Sequence, residues 1–294
     1  MSRVSNLRQV PTQVRARVNL NIRKAVGLNQ DPPPRCDDPA TSYFPVDSVA
    51  RLVHGDLSSM MVGGLASIFF QMLHPHAMAG VAQHSRYQHD PLGRLLQTAN
   101  FIGATTYGDI PSAFASIERV LSVHQSVRGI ADDGEPYFAN DPHLLAWVHS
   151  AEMSMFLSGY QRYGRRSLSP RDADTYVREM AQLATDLGVE EPPRSVGELG
   201  AELERFRPEL RLSHYGVAAR DFVIDGFLDK PLQRLVYRLL IASSLDLLQP
   251  WALERLDVPR PTVVRRVMVR GATRVLCVVL RAFVPPAEPE SLRS

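Results

Sequence analysis

An all-α fold is predicted for this chain, on three observations. Helix-start signals recur, apolar residues repeat at three- and four-residue spacing, and period-two alternation is scarce. Three of the starts share one device, Asp followed by Pro at once or one residue later: Asp90-Pro91, Asp109-Ile110-Pro111 and Asp141-Pro142. The carboxylate caps free N–H groups of the first turn. Pro is tolerated there because its missing donor is not needed.

The elements follow in chain order. Residues 1–30 carry Arg3, Arg8, Arg15, Arg17, Arg23 and Lys24, with no acid and no continuous apolar run. They do not read as a secretory signal, and a basic surface helix is expected, with membrane contact as the alternative. "DPPPRCDDPATSYFPVD" (31–47) resists helix and reads as an extended arm. Met60–Ala82 holds no Asp, Glu, Lys or Arg and imitates a membrane span. Gln71, His74, Pro75 and His76 in its second half are expensive in lipid, so a buried helix ending near Pro75 is expected. Helices then follow after Asp90, Asp109 and Asp141. A fourth is headed by Ser169-Pro170 and ended by Gly188. Others are expected at 196–206, 229–248 and 262–283, with turns at 192–195 and 249–251. The organisation is a basic segment and Pro-rich arm (1–44), one helical domain (45–285) and a disordered tail (286–294).

Net charge is only +2, which gives no case for nucleic acid as a partner. Arginine outnumbers lysine heavily, read as codon bias in a GC-rich bacterial genome. Cys36 and Cys277 are too few for a disulfide framework or a cysteine zinc site. The expected location is cytoplasmic, peripheral to the membrane if anywhere near it.

Helical spacing places the polar candidates. After Pro91, Leu92, Leu95, Leu96, Ala99 and Ile102 form one stripe, and Arg94, Gln97, Thr98 and Phe101 a second face. After Pro111, His124 falls on the apolar stripe of Ile117, Val120, Leu121 and Val127. Such a histidine is either a satisfied core residue or an inward-facing imidazole of the kind a haem iron takes. His149, Glu152 and Phe156 share a face of the next helix. That His–Glu pair reads either as a structural hydrogen bond or as an oriented metal ligand. Other metal patterns fail. No Glu-x-x-His occurs, no His-Glu-x-x-His occurs, and "HGD" (54–56) is too short a match to a facial triad.

"LHPHAMAGVAQHS", "DPLGRLLQT", "VHQSVRG", "DDGEPYFANDPHLLAWVH" and "MFLSGYQRYG" occur in this order. They resemble the DUF2236 family of bacterial rubber oxygenases (latex-clearing proteins) and fungal MpaB-type oxygenases, over roughly residues 45–255. The resemblance implies a globin-like helical core around one buried b-type haem per chain, and cleavage of apolar double bonds with O2 as co-substrate. It implies that Arg94, Gln97 and Thr98 hold the family's Arg-x-x-basic-Thr positions and that His124 is the iron ligand, with His149 the competitor. Arg94 would pair with a haem propionate, and Thr98 would face the haem. The family's basic residue is Gln97 here, a poor sixth ligand but a competent hydrogen-bond donor. His74 and His84 belong to family motifs and are expected to be structural or to support the site. His76 and His89 are expected at the surface. A small apolar isoprenoid- or lipid-like substrate fits better than a polymer. The alternatives are a non-catalytic haem-binding protein and a haem-free helical interaction protein.

"TVVRRVMVRGATRVLCVVLRAF" (262–283) has five arginines and no acid, with Arg266, Arg270 and Arg274 at i, i+4 and i+8. Two placements are open. The valines pack on the core with the arginines in water, or the valines enter an anionic membrane with the arginines among the head groups.

Overall fold

A computed structural model describes residues 34–283 apart from residue 229. The expectations for 1–33 and 284–294 lie outside the described residues. The all-α expectation holds: the described residues form twelve helices and one two-stranded hairpin. The helices are α1 (Val49–His54), α2 (Leu57–Gln71), α3 (Pro75–His84), α4 (Pro91–Tyr107), α5 (Ile110–Ser126), α6 (Pro142–Tyr163), α7 (Pro170–Asp186), α8 (Val196–Phe206), α9 (His214–Asp225), α10 (Pro231–Leu245), α11 (Pro250–Arg255) and α12 (Val263–Phe283).

The caps read from sequence are in place. Asp90 accepts from the Gly93 N–H, Asp109 from Ser112, Asp141 from His143, and Ser169 from Asp172. Gly188 ends α7 at φ +96°, a conformation that glycine adopts without a Cβ penalty. The charge-free run from Met60 to Ala82 divides between α2 and α3, which bend by 105° at the break before Pro75. No single described helix is long and apolar enough to cross a membrane.

α2 and α6 form the centre. They cross closely because Gly63 and Gly159 face each other. A Cβ on Gly63 would lie 2.8 Å from the Met155 carbonyl oxygen, and one on Gly159 3.0 Å from the Gly63 Cα. On one side α10 packs on α2 and α12 on α10; on the other, α7 and α8 pack on α6. One core cluster centres on Phe69, Phe70, Trp147 and Phe206, and a second on Val53, Met153, Phe156, Tyr160 and Tyr176. The arm is pinned by the fully buried Arg51, which donates to Asp37 at 2.8 Å and to the Cys36 carbonyl at 2.6 Å.

Three expectations are corrected, and one helix is new. Residues 128–138 form a hairpin, β1 (Arg128–Ile130) against β2 (Pro136–Phe138), turned by Gly134 at φ +86°. The stretch expected as a turn at 249–251 starts α11, with Gln249 as cap and Pro250 in the first turn. Helix α9 had no expectation at all. The largest correction is α12, where three of the five arginines turn to the body and only Arg265 and Arg274 stand free in water. Arg266 and Arg270 donate to the buried Asp246 at 2.7 and 2.6 Å, and Arg281 donates to the buried Asp56 at 2.7 Å, while the valines face outward. The reason is the receiving surface. An unpaired buried carboxylate costs on the order of several kcal/mol, more than an outward-facing valine forgoes.

Candidate functional site

Five helices contribute to one polar group beside the second core cluster. α6 brings His149, Glu152 and Phe156 to one face. α4 brings Arg94 and Thr106, α5 His124, α7 Tyr176 and α1 His54. α4 packs mainly on α5 and on α1. Only Ala104, Thr105 and Thr106 of α4 are buried; Leu92, Leu95, Leu96 and Ala99 are half-buried. α6, in contrast, is buried along most of its length.

Arg94 is the electrostatic hub. Its side chain is exposed at the surface end of the group. Burial lowers its pKa and the nearby Glu152 opposes this. Burial raises the Glu152 carboxyl to about 7, against the pull of Arg94. His124 is half-buried, and burial, then Arg94, lowers its pKa, so the imidazole is neutral at pH 7. Only its Nδ1 is enclosed, without a partner. His149 is buried and pushed down to about 4 by burial. Here Nε2 is the enclosed nitrogen, also without a partner, and no hydrogen bond joins His149 to Glu152. The structural hydrogen bond considered for that pair is therefore absent.

The group continues inward. Tyr176 is fully buried, and burial, then Glu152, raises its hydroxyl well above the usual range. That hydroxyl donates to the Met153 sulfur and lies 3.1 Å from His54 Nε2. His54 Nε2 is then the donor to Tyr176, and Nδ1 accepts from the Thr106 hydroxyl at 2.8 Å. Burial pushes His54 down to about 3. Phe101, Ile102, Leu121 and Met60 add apolar walls.

Of the residues singled out from the sequence, Arg94, His124 and Glu152 come together. Gln97 on α4 is exposed; Thr98 is half-buried and donates its hydroxyl to the Arg94 carbonyl at 3.2 Å. Tyr176 and Thr106 were missed, since nothing in their own helices distinguishes them. The "HGD" residues serve structure: His54 as above, Asp56 as the α2 cap that accepts from Arg281. Among the described residues no group of three or more His, Cys, Asp or Glu could hold a metal ion.

The other histidines lie elsewhere. His74 is buried and faces Glu209 at 3.8 Å. His76 is half-buried against Asp133 at 3.6 Å rather than at the surface. Both line a separate cleft of about 360 Å³ with His143 and Arg211. His84 and His89 are exposed, His84 lying 3.2 Å from the Arg128 carbonyl.

The family described as "ER-bound oxygenase mpaB/B'/Rubber oxygenase, catalytic domain" matches residues 51–282. The chain belongs to this family. The match runs from α1 to the end of α12, so every residue of the polar group falls inside the oxygenase catalytic domain. No curated protein and no solved structure matches the chain significantly.

Proposed function

We propose that this oxygenase domain binds one b-type haem per chain and acts with O2 on a small apolar, unsaturated substrate of isoprenoid or lipid kind. The observation that carries the reading is His124. It is a neutral imidazole on an apolar stripe, with Nδ1 enclosed and Nε2 left free, beside the Arg94 cation and near half-buried apolar side chains of α4. These features fit a haem. A neutral imidazole is the usual proximal ligand, the Arg94 guanidinium matches a propionate, and leucine and phenylalanine suit a porphyrin face. The bound haem supplies the activation of O2.

The chain's own residues do the rest. His124 would hold the haem iron through its free Nε2. His149 is the poorer candidate because its Nε2 is sealed by protein. Arg94 anchors and orients. Thr98 stands one turn from Arg94 on the same face, its hydroxyl tied to the Arg94 carbonyl. Gln97 would offer an exposed amide N–H as a hydrogen-bond donor where the family carries a basic group. Glu152, titrating near neutrality, holds or takes up a proton beside the substrate.

The absorption spectrum of the purified, haem-reconstituted protein tests this. Wild type and His149→Ala should show a stoichiometric haem band and His124→Ala should not. The ferrous protein should bind CO. Consumption of O2 with an unsaturated lipid separates an oxygenase from a non-catalytic haem-binding protein. If His149→Ala alone strips the haem, the ligand assignment fails; if wild type takes up none, the haem reading fails.

A further inference from the structure

Helix α12 presents two unlike faces, and the body satisfies only one. The inner face carries Arg266, Arg270, Thr273, Cys277 and Arg281. Asp246 accepts from the first two, the Thr273 hydroxyl lies 2.5 Å from that of Ser243 on α10, Cys277 is buried, and Asp56 accepts from Arg281. These bonds fix the rotation of the helix, so it cannot turn to hide its other side. That side carries Val264, Val267, Met268, Val275, Val278 and Val279, spaced by three and four residues and between 44% and 70% exposed. At 1.5 Å per residue the stripe is about 22 Å long. The adjoining α10 adds Leu232 and Leu235, 72% and 66% exposed. Apolar surface of this extent on one element marks a contact site.

We infer that this face docks on an anionic lipid surface. Charge decides among the occupants. Residues 231–245 and 262–283 contain no Asp or Glu. The exposed charges on the two helices include Arg234, Arg238, Arg265 and Arg274, all positive. A second copy would bring the same cations face to face. The chain's own first thirty residues carry six basic groups and no acid, so they too would be repelled. Anionic head groups complement the cations while valine, methionine and leucine enter the acyl boundary. The helix lies in the plane of the surface rather than across it, since it is not apolar enough to span. The arginines that meet head groups are Arg265 and Arg274 with those of α10, while Arg266, Arg270 and Arg281 are held by the body.

Co-sedimentation of the full chain tests this, with vesicles of phosphatidylcholine alone and of equal parts phosphatidylcholine and phosphatidylglycerol. Binding should require phosphatidylglycerol and weaken with salt. The triple variant V267S/M268S/V275S should partition at least tenfold less while its thermal unfolding stays that of wild type, because the three side chains touch solvent. R265E/R274E should also lose binding. Unchanged partitioning of the triple variant would overturn the inference and assign any binding to the basic N-terminal residues. Equal binding to both vesicles would remove the charge argument. A dimer in sedimentation equilibrium that the same substitutions dissociate, without vesicle binding, would make a second copy the occupant.

Discussion

Replacing Glu152 by Gln should stabilise the protein at alkaline pH and leave it unchanged in acid. The carboxyl's pKa rises from 4.5 to about 7 in the folded chain, first through burial, with Arg94 opposing. A carboxyl with a raised folded-state pKa binds its proton more tightly in the native than in the unfolded state. Native stability therefore falls as pH rises from about 4.5 to about 7, and the full cost is present above that window. At about 1.36 kcal/mol per pH unit the interval corresponds to roughly 3 kcal/mol. Glu152 is only half-buried and solvent screens part of this. The pull of Arg94 is already contained in the shifted pKa, so after screening a net gain of about 2 kcal/mol is expected at pH 8. Urea unfolding of both proteins from pH 4.5 to 8, compared at equal m-value, measures it. A glutamine variant less stable than wild type at pH 8, or a difference independent of pH, would refute the reasoning. The carboxylate would then be a satisfied ion-pair partner and no longer a candidate for proton transfer near neutrality.

Gly63→Ala should cost about 2–3 kcal/mol, because its new Cβ meets the Met155 oxygen at 2.8 Å and the Phe156 Cα at 3.1 Å, backbone atoms that cannot rotate away. Gly64→Ala, which meets only a Phe156 ring carbon at 3.8 Å, should leave the melting temperature unchanged or raise it slightly. Asp246→Ala should cost about 3 kcal/mol, since Arg266 and Arg270 lose their acceptor and Arg162 keeps only the residue-246 carbonyl, and proteolysis should then cut first at α12. Burial works against the Asp246 charge, but the hydrogen bonds from Arg270 and Arg266 prevail and hold its pKa below the usual value. Its contribution is thus present at neutral pH and lost as pH falls through that lowered pKa, visible as a steeper acid unfolding in wild type than in Asp246→Ala.

Local chemistry made much of the fold legible. A cap is written within four residues, so Asp90, Asp109, Asp141 and Ser169 gave their helices away before any contact was known. α8 occupies 196–206 as expected, with Ser195 as cap and Glu198 reaching back to the Arg194 N–H. α9 escaped because Ser213 caps a helix with no proline at its head and no long apolar stripe. The site divides in the same way. The spacing on α4 and α5 announced Arg94 and His124, whereas the approach of Arg94 to Glu152 and the Tyr176–His54 pair join segments about sixty and 122 residues apart. No window of sequence contains both partners.

α12 marks the limit of periodicity most clearly. Its sequence holds two stripes, arginine at i, i+4 and i+8 and valine at three- and four-residue spacing, and a helical wheel assigns neither to the inside. General hydrophobicity favours the valines. The outcome rests on Asp56 and Asp246, which stand on other segments and need cations once buried. Arg281 reaches the first, Arg266 and Arg270 the second, and Arg274, the third member of the sequence stripe, is left exposed. The valines outside are thus a consequence of ion pairing inside. Asp246→Ala and the outward serine variants therefore act on opposite faces of one helix. The first should loosen the helix from the body, and the second should leave it in place and strip it of its affinity for lipid.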